Sequence, residues 1–412
     1  MNTCIETARQ KALDVLKPSP AQLEHGLELH RDSIVVDAYG FAPYAPPADT
    51  ESVMADAARA GATRAELAQR HLNLQVTGKV RDPGALREFV EAFRASGVTC
   101  IGQNAGEGRN VFESLERLAM FTYVCDELPQ VVTKAVKPRD IRRAKDEARH
   151  CLLFSLNNPI MHQAWDFWDQ ELYPLEIFHQ AGIRMMHLTY NRRNRAGDGC
   201  AEPANGGLSD FGRDVIHHMN RLGVIVDLAH AGWQTAREAA EASEKPVIVS
   251  HSACASLHHH VRGKPDDVIR AVVESGGYMG ICLIPPFLGE GATIQTLLDH
   301  IDHVARTFGP EHVAIGSDTT YAPPVPESVR KLLESTTPKR SFWSHWPPDD
   351  PVLKPGSCDE CRRGSLAWTN WPLFTVGLVQ RGYGDEEIRN IIGGNCLRVM
   401  EACLEAEGGA AA

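Results

Sequence analysis

Eight short apolar runs, separated by stretches with helical spacing, constrain this chain more than any other feature of its sequence. They are SIVVDAY (33–39), GVTCIGQN (97–104), CLLFSL (151–156), GIRMMHLTY (182–190), GVIVDLAH (223–230), PVIVSHS (246–252), GGYMGICLI (276–284) and HVAIGSD (312–318). Runs so continuous in Val, Ile, Leu and Met describe strands buried on both faces, which requires a parallel sheet covered by helices. Eight of them predict a (β/α)8 barrel of the TIM type. An open doubly wound sheet is the alternative, but no GxGxxG follows the first run. One barrel with insertions uses all 412 residues as a single domain, with its strands between about 33 and 318 and a C-terminal helical part over 367–402.

Two connections stand out. Residues 42–96 open with APYAPPADT and continue through amphipathic stretches such as ADAARAGATRAELAQRHLNL, which predicts a helical insertion after the first strand. Residues 319–366 are Pro-rich, carry Trp343, His345 and Trp346, and leave the end of the barrel where such enzymes keep their chemistry. They are expected to form a lid or, alternatively, a dimer contact.

Composition removes several function classes. A formal charge of −11 offers no basic footprint for a phosphate backbone, so nucleic acid is not an expected partner. No run approaches the roughly 18 apolar residues of a membrane span, and the first thirty residues mix charges throughout, so neither an anchor nor a leader is read and the cytoplasm is the default compartment. The eleven cysteines are odd in number and scattered from Cys4 to Cys403, which predicts reduced thiols. Cys358 and Cys361 have CxxC spacing, but without a second pair a loop coincidence is preferred over zinc.

In a barrel the C-terminal ends of strands face the site. His230 closes GVIVDLAH and His251 follows PVIVS, so two imidazoles on neighbouring strand ends can share one metal ion. Asp318 ends AIGSD, where a carboxylate can orient or deprotonate a metal-bound water; a helix N-cap is its alternative role. His258, His259 and His260 read as a solvated loop, and Trp165 and Trp168 as packing over the site or in the core. No Ser or Cys sits in a nucleophile elbow, which disfavours a covalent acyl-enzyme.

The stretches GIRMMHLTYN, NGGLSDFGRDVIHHMNRLGVIVDLAH, PVIVSHSACASLHHHVRGKPDDVI, HVAIGSD and RGYGDEEIRNIIGGNCLRVM resemble, in order, the membrane (renal) dipeptidase family of zinc metallopeptidases, amidohydrolase-like barrels. The resemblance implies a pair of zinc ions bridged by a Glu and a hydroxide, hydrolysis of dipeptides, and a homodimer. It also implies roles: His230 and His251 match the imidazoles of one zinc, Arg262 the arginine that grips the substrate carboxylate, and Asp318 the carboxylate that handles the proton. The departures are equally specific. The family's Asp-x-His-x-Asp reads Asp37-Ala38-Tyr39-Gly40-Phe41, its bridging Glu is Asn157, and its substrate-binding His is Tyr190. An amide carries no charge to offset two dications.

The expectation is therefore a remodelled hydrolase with one divalent metal, acting on an amide or related bond of a small carboxylate-bearing substrate. Its metal ligands are His230 and His251 with Asp318 or the Asn157 carbonyl as a third, and Arg262, Tyr190 and Tyr39 bind substrate. Kinship favours zinc, although two His and one carboxylate also suit iron, and manganese stays open. A metal-free site around Tyr39, Tyr190 and Asp318 is the alternative. Two other functions remain: a lyase, decarboxylase or isomerase on the same barrel, and an inactive binding relative.

Overall fold

The computed structural model describes residues 2–107, 111–159, 168–334 and 345–404; Trp165 and Trp343 lie outside them, as does the side chain of Trp168. The strands are β1 (Val36–Gly40), β2 (Cys100–Gly106), β3 (Val132–Ala135), β4 (His150–Leu156), β5 (Met185–His187), β6 (Ile225–Asp227), β7 (Ile248–Ser252), β8 (Tyr278–Ile281) and β9 (Val313–Ile315). Each of the eight predicted runs holds one of them. All pairings are parallel, in the order β1-β2-β4-β5-β6-β7-β8-β9, with helices between, and the result is a nearly closed (β/α)8 barrel of the TIM type.

The ninth strand, β3, is an addition to the sequence reading. It is four residues long and only half-buried at Thr133 and Lys134, so it lacks the continuous apolar run that marks the others. It pairs with β4 from Val132↔His150 to Ala135↔Leu153, whereas β5 takes up the same edge at Ser155 and Leu156. The wall thus gains a strand toward its N-terminal end and keeps eight at the end that carries the site.

The helical insertion forms as expected, in helices Thr50–Arg59, Arg64–Arg81 and Pro83–Ser96. Local chemistry sets its boundaries. Thr63 and Glu66 make a reciprocal capping box at the second helix. Asp82 caps the third, Pro83 opens it, and Gly97 ends it at φ 64. Val329, on the helix Glu327–Leu333 that follows β9, packs with Met54, Leu67 and Leu74 of the insertion, so the two long connections share a small core. The eleven cysteines are all free. No helix among the described residues is long and apolar enough to cross a membrane.

The barrel closes between β1 and β9 through a buried carboxylate. Asp37 accepts from Ser317 N (2.8 Å), Ser317 Oγ (2.5 Å) and Trp368 Nε1 (2.9 Å), tying first strand, last strand and C-terminal segment together. Backbone bonds from Asp318 N to Tyr39 O (2.9 Å) and from Phe41 N to Thr319 O (3.2 Å) continue the seam. A Cβ at Gly40 would collide with the Asp37 carboxylate and Ser317 Oγ, which explains a glycine there. Burial pushes the Asp37 pKa up to about 7, against the pull of its donors.

Two outcomes follow for stability. Asp37→Ala strands three buried donors, each costing about 1–3 kcal/mol when unpaired. Its urea midpoint is expected well below wild type, and an unchanged midpoint would show that closure does not depend on this carboxylate. His30 is buried between Thr375 Oγ1 (2.8 Å) and Ser96 O (2.9 Å), and burial lowers its pKa to about 4. The unfolded chain, at about 6.5, binds the proton more tightly, so this contribution is full above pH 6.5 and lost as pH falls from there through 4. His30→Gln should flatten unfolding free energy over that window; an undiminished acid slope would assign it to other groups.

Candidate metal and substrate site

The C-terminal ends of the strands gather most of the predicted residues in one place. Tyr39 lies in β1, Asn157 directly follows β4, His251 lies in β7, and Tyr190, His230 and Asp318 stand three residues beyond β5, β6 and β9. His230 and His251 face each other with their Nε2 atoms 3.1 Å apart. Burial, and next the charge of Arg262, hold both imidazoles well below their ordinary pKa, so both are neutral and keep a lone pair. Outer partners orient them: His230 Nδ1 meets Asn191 Oδ1 at 2.7 Å, and His251 Nδ1 meets Ser250 Oγ at 2.8 Å.

Arg262, in the loop after β7, is wholly buried. Its guanidinium donates to the Ala229 and His251 carbonyls and approaches His230 Nε2 at 3.3 Å, while Nε has no hydrogen-bond partner among the described residues. The loop that holds it is braced by His260, whose Nδ1 accepts from Arg262 N (3.0 Å) and whose Nε2 lies 3.3 Å from Asp350. The histidine triplet is thus not uniformly solvated: His259 is exposed but His260 is buried, because it links the arginine loop to the segment after β9. Trp346 packs against Phe287 and His260, and His345 sets its ring edge on Tyr190 at 5.3 Å. Tyr190 in turn stacks on His230 at 4.2 Å.

Asp318 lies 3.9 Å from His251 Nε2. Its backbone is left-handed (φ 51), a conformation Asp tolerates better than most residues. No helix begins until Glu327, so Asp318 caps nothing. Burial raises its pKa to about 7 although Arg262 pulls the other way. Tyr39 is buried, stacks on His251 at 4.1 Å, meets Phe41 edge-on, and donates its hydroxyl to Asn157 Oδ1 at 2.8 Å. At the positions where the resemblance implies ligands of a second ion, Tyr39 and Phe41 thus offer neither imidazole nor carboxylate, and the Asn157 amide carries no charge.

Two residues not singled out in the sequence complete the cluster. His187 ends β5, Asp227 ends β6, and with His251 they offer ligand atoms all within 4.8 Å of one another. His187 Nε2 is 2.7 Å from Asp227 Oδ2 but out of line for a hydrogen bond, so those atoms and His187 Nδ1 lack a hydrogen-bond partner among the described residues. The other Asp227 oxygen accepts from Ala229 N and Ser250 N, both at 3.0 Å. Burial works to raise the Asp227 pKa, but His187 and Ser250 hold it below the ordinary value. The available signal was a charged residue in the otherwise apolar VIVDLA, since a buried carboxylate demands a partner. Cys358 and Cys361 join no such cluster among the described residues.

The family model for membrane dipeptidases, peptidase family M19, matches residues 24–334. Dipeptidase verJ of Clonostachys rogersoniana is 33% identical over 230 residues, 55% of this chain and 50% of that protein. The chain spans about half the length of the curated relatives it matches. Among solved structures, an amidohydrolase from Pseudomonas aeruginosa superposes with a TM-score of 0.67 at 25% identity, covering 92% of this chain and 99% of the other. The probable dipeptidase PvdM of the same organism gives 0.65 at 18%, covering 94% and 99%, a likeness of fold.

Restoring Tyr39→His, Phe41→Asp and Asn157→Glu together is expected to add one bound divalent ion per chain, read by elemental analysis. Unchanged metal content would place the barrier elsewhere than at these three side chains.

Proposed function

The chain belongs to the membrane dipeptidase family, peptidase family M19, and on that premise we propose that it is a hydrolase that cleaves an amide or related bond in a small, carboxylate-bearing substrate, using one divalent ion where the resemblance implies two. The observation that carries this reading is Arg262: a wholly buried guanidinium, with an unpartnered Nε, set against a cluster of neutral histidines. A buried cation of this kind calls for an anion, and a guanidinium fork suits a carboxylate.

Imidazoles of the cluster that includes His230 and His251 would hold the ion, and we propose zinc, on kinship. Bound there, it would polarise a carbonyl and make a water acidic enough to attack near neutral pH. The chain's own groups do the rest. Arg262 holds the substrate carboxylate and so fixes the scissile bond relative to the histidines. Asp318, with a pKa of about 7, takes the proton from the attacking water and returns it to the leaving nitrogen. Tyr39 and Tyr190, whose phenols burial holds above their ordinary pKa, keep their protons and act as donors and as walls that exclude water. The same two rings stand where the resemblance implies histidines, and Asn157 where it implies the charged bridge, so ordinary dipeptides are expected to be poor substrates.

Elemental analysis of protein purified without chelator is expected to find about one equivalent of divalent metal. On a panel of L,L- and L,D-dipeptides with added zinc, manganese or iron, turnover should stay below about one per second; several per second, within the usual range for natural substrates, would sink the remodelled site. Once a substrate is in hand, Arg262→Lys should raise KM nearly as much as Arg262→Ala, about tenfold or more, because a point charge cannot replace the fork. Full affinity in the lysine variant would reduce Arg262 to general electrostatics.

A further inference from the structure

The histidine pair carried over from the family is not the set best prepared to take an ion in this chain. His230 and His251 each have both ring nitrogens engaged, Nδ1 with Asn191 Oδ1 (2.7 Å) and with Ser250 Oγ (2.8 Å) respectively and the two Nε2 atoms with each other (3.1 Å), but His230 Nε2 in addition faces Arg262 Nη2 at 3.3 Å. A dication on that Nε2 would stand against a buried guanidinium. His187 completes a near-equilateral triangle with these two rings, its centroid 5.1 Å from that of His230 and 5.4 Å from that of His251, but its contacts differ. His187 and Asp227 are buried with His187 Nε2 2.7 Å from Asp227 Oδ2, close but out of line for a hydrogen bond, and His187 Nδ1 has no hydrogen-bond partner among the described residues. Leaving such atoms unpaired in a dry interior is costly, and a carboxylate there needs a cation. The ring centroids of His187 and His251 are 5.4 Å apart, and Tyr39 lies against both, closing the cluster from β1.

We propose that the single ion is held by His187, Asp227 and His251, one ligand from each of β5, β6 and β7, and that His230 is not a ligand but a positioning residue between Arg262 and His251. The assignment rests on the one-ion reading above and deepens it. It supplies a two-histidine, one-carboxylate set that satisfies the orphaned atoms. It also supplies the negative charge lost with the replaced bridging position, since Asp227 is anionic where Asn157 is neutral. His230, freed of the metal, is left to hold the guanidinium face toward the substrate carboxylate.

The test is zinc binding by the full chain and by three near-isosteric variants, His187→Gln, Asp227→Asn and His230→Gln. Affinity is read against a chromophoric chelator, and fold is checked by circular dichroism. The expected result is about one zinc in wild type, affinity weakened at least about 100-fold in His187→Gln and Asp227→Asn, beyond what outer partners usually cost, and one zinc retained in His230→Gln. Full binding by folded His187→Gln or Asp227→Asn would overturn the assignment, and so would loss of zinc from folded His230→Gln, which alone decides the matter if the other two do not fold. Wild type with no ion, or with two, would overturn the one-ion reading itself, and this assignment with it. Cobalt(II) gives a second readout: visible absorption bands that shift in His187→Gln and stay in His230→Gln support the assignment, and the opposite pattern removes it.

Discussion

The bond network of Asp37 is the constraint on which the rest of this structure depends. A parallel barrel has no hairpins to join its first strand to its last, and here the two ends of the chain's sheet meet largely through one carboxylate and the seam of backbone bonds beside it. Asp37 also accepts from Trp368 Nε1, which ties the C-terminal segment to the same carboxylate. Tyr39, two residues along the same strand, then points its ring at His251 and its hydroxyl at Asn157. The closure and one wall of the site thus both involve one five-residue strand.

A second theme is the concentration of ionisable groups in a buried place. Arg262, Asp227, His187, His230 and His251 are all buried, next to a strand-end Asp318 with about a quarter of its side chain exposed. A folded chain tolerates such a cluster only when charges are paired and lone pairs are used. Backbone carbonyls take part of the guanidinium, backbone amides take one Asp227 oxygen, and Ser250 and Asn191 orient the imidazoles. Arg262 Nε and the His187 ring nitrogens have no hydrogen-bond partner among the described residues, and Asp227 Oδ2 faces His187 Nε2 at 2.7 Å, out of line for a hydrogen bond.

The segment after β9 connects this centre to the outside. His260 and Asp350 bind it to the arginine loop, Trp346 buries itself beside Phe287, and His345 touches Tyr190. The helix Glu327–Leu333 meanwhile rests on the insertion that follows β1. The two long connections therefore pack on each other, and the part of the second from His345 on also contacts the site.

The sequence by itself determined a parallel sheet covered on both faces by helices, because continuous apolar runs must hide both faces, and the count of eight runs without a GxGxxG after the first pointed to a barrel over an open sheet. It determined the helical insertion through its amphipathic spacing, and its ordered stretches carried the family resemblance together with His230, His251, Arg262 and Asp318. It could not reveal β3, whose Thr133 and Lys134 break the apolar run, nor the burial of His260, whose partner Asp350 lies 90 positions away. The roles of Asp37 and of the His187–Asp227 pair were equally out of reach. Those depend on which strands become neighbours, and a lone polar residue inside an apolar run says only that some partner must exist. Tertiary structure alone decided which one, since desolvation penalises every buried charge but only proximity determines what offsets it.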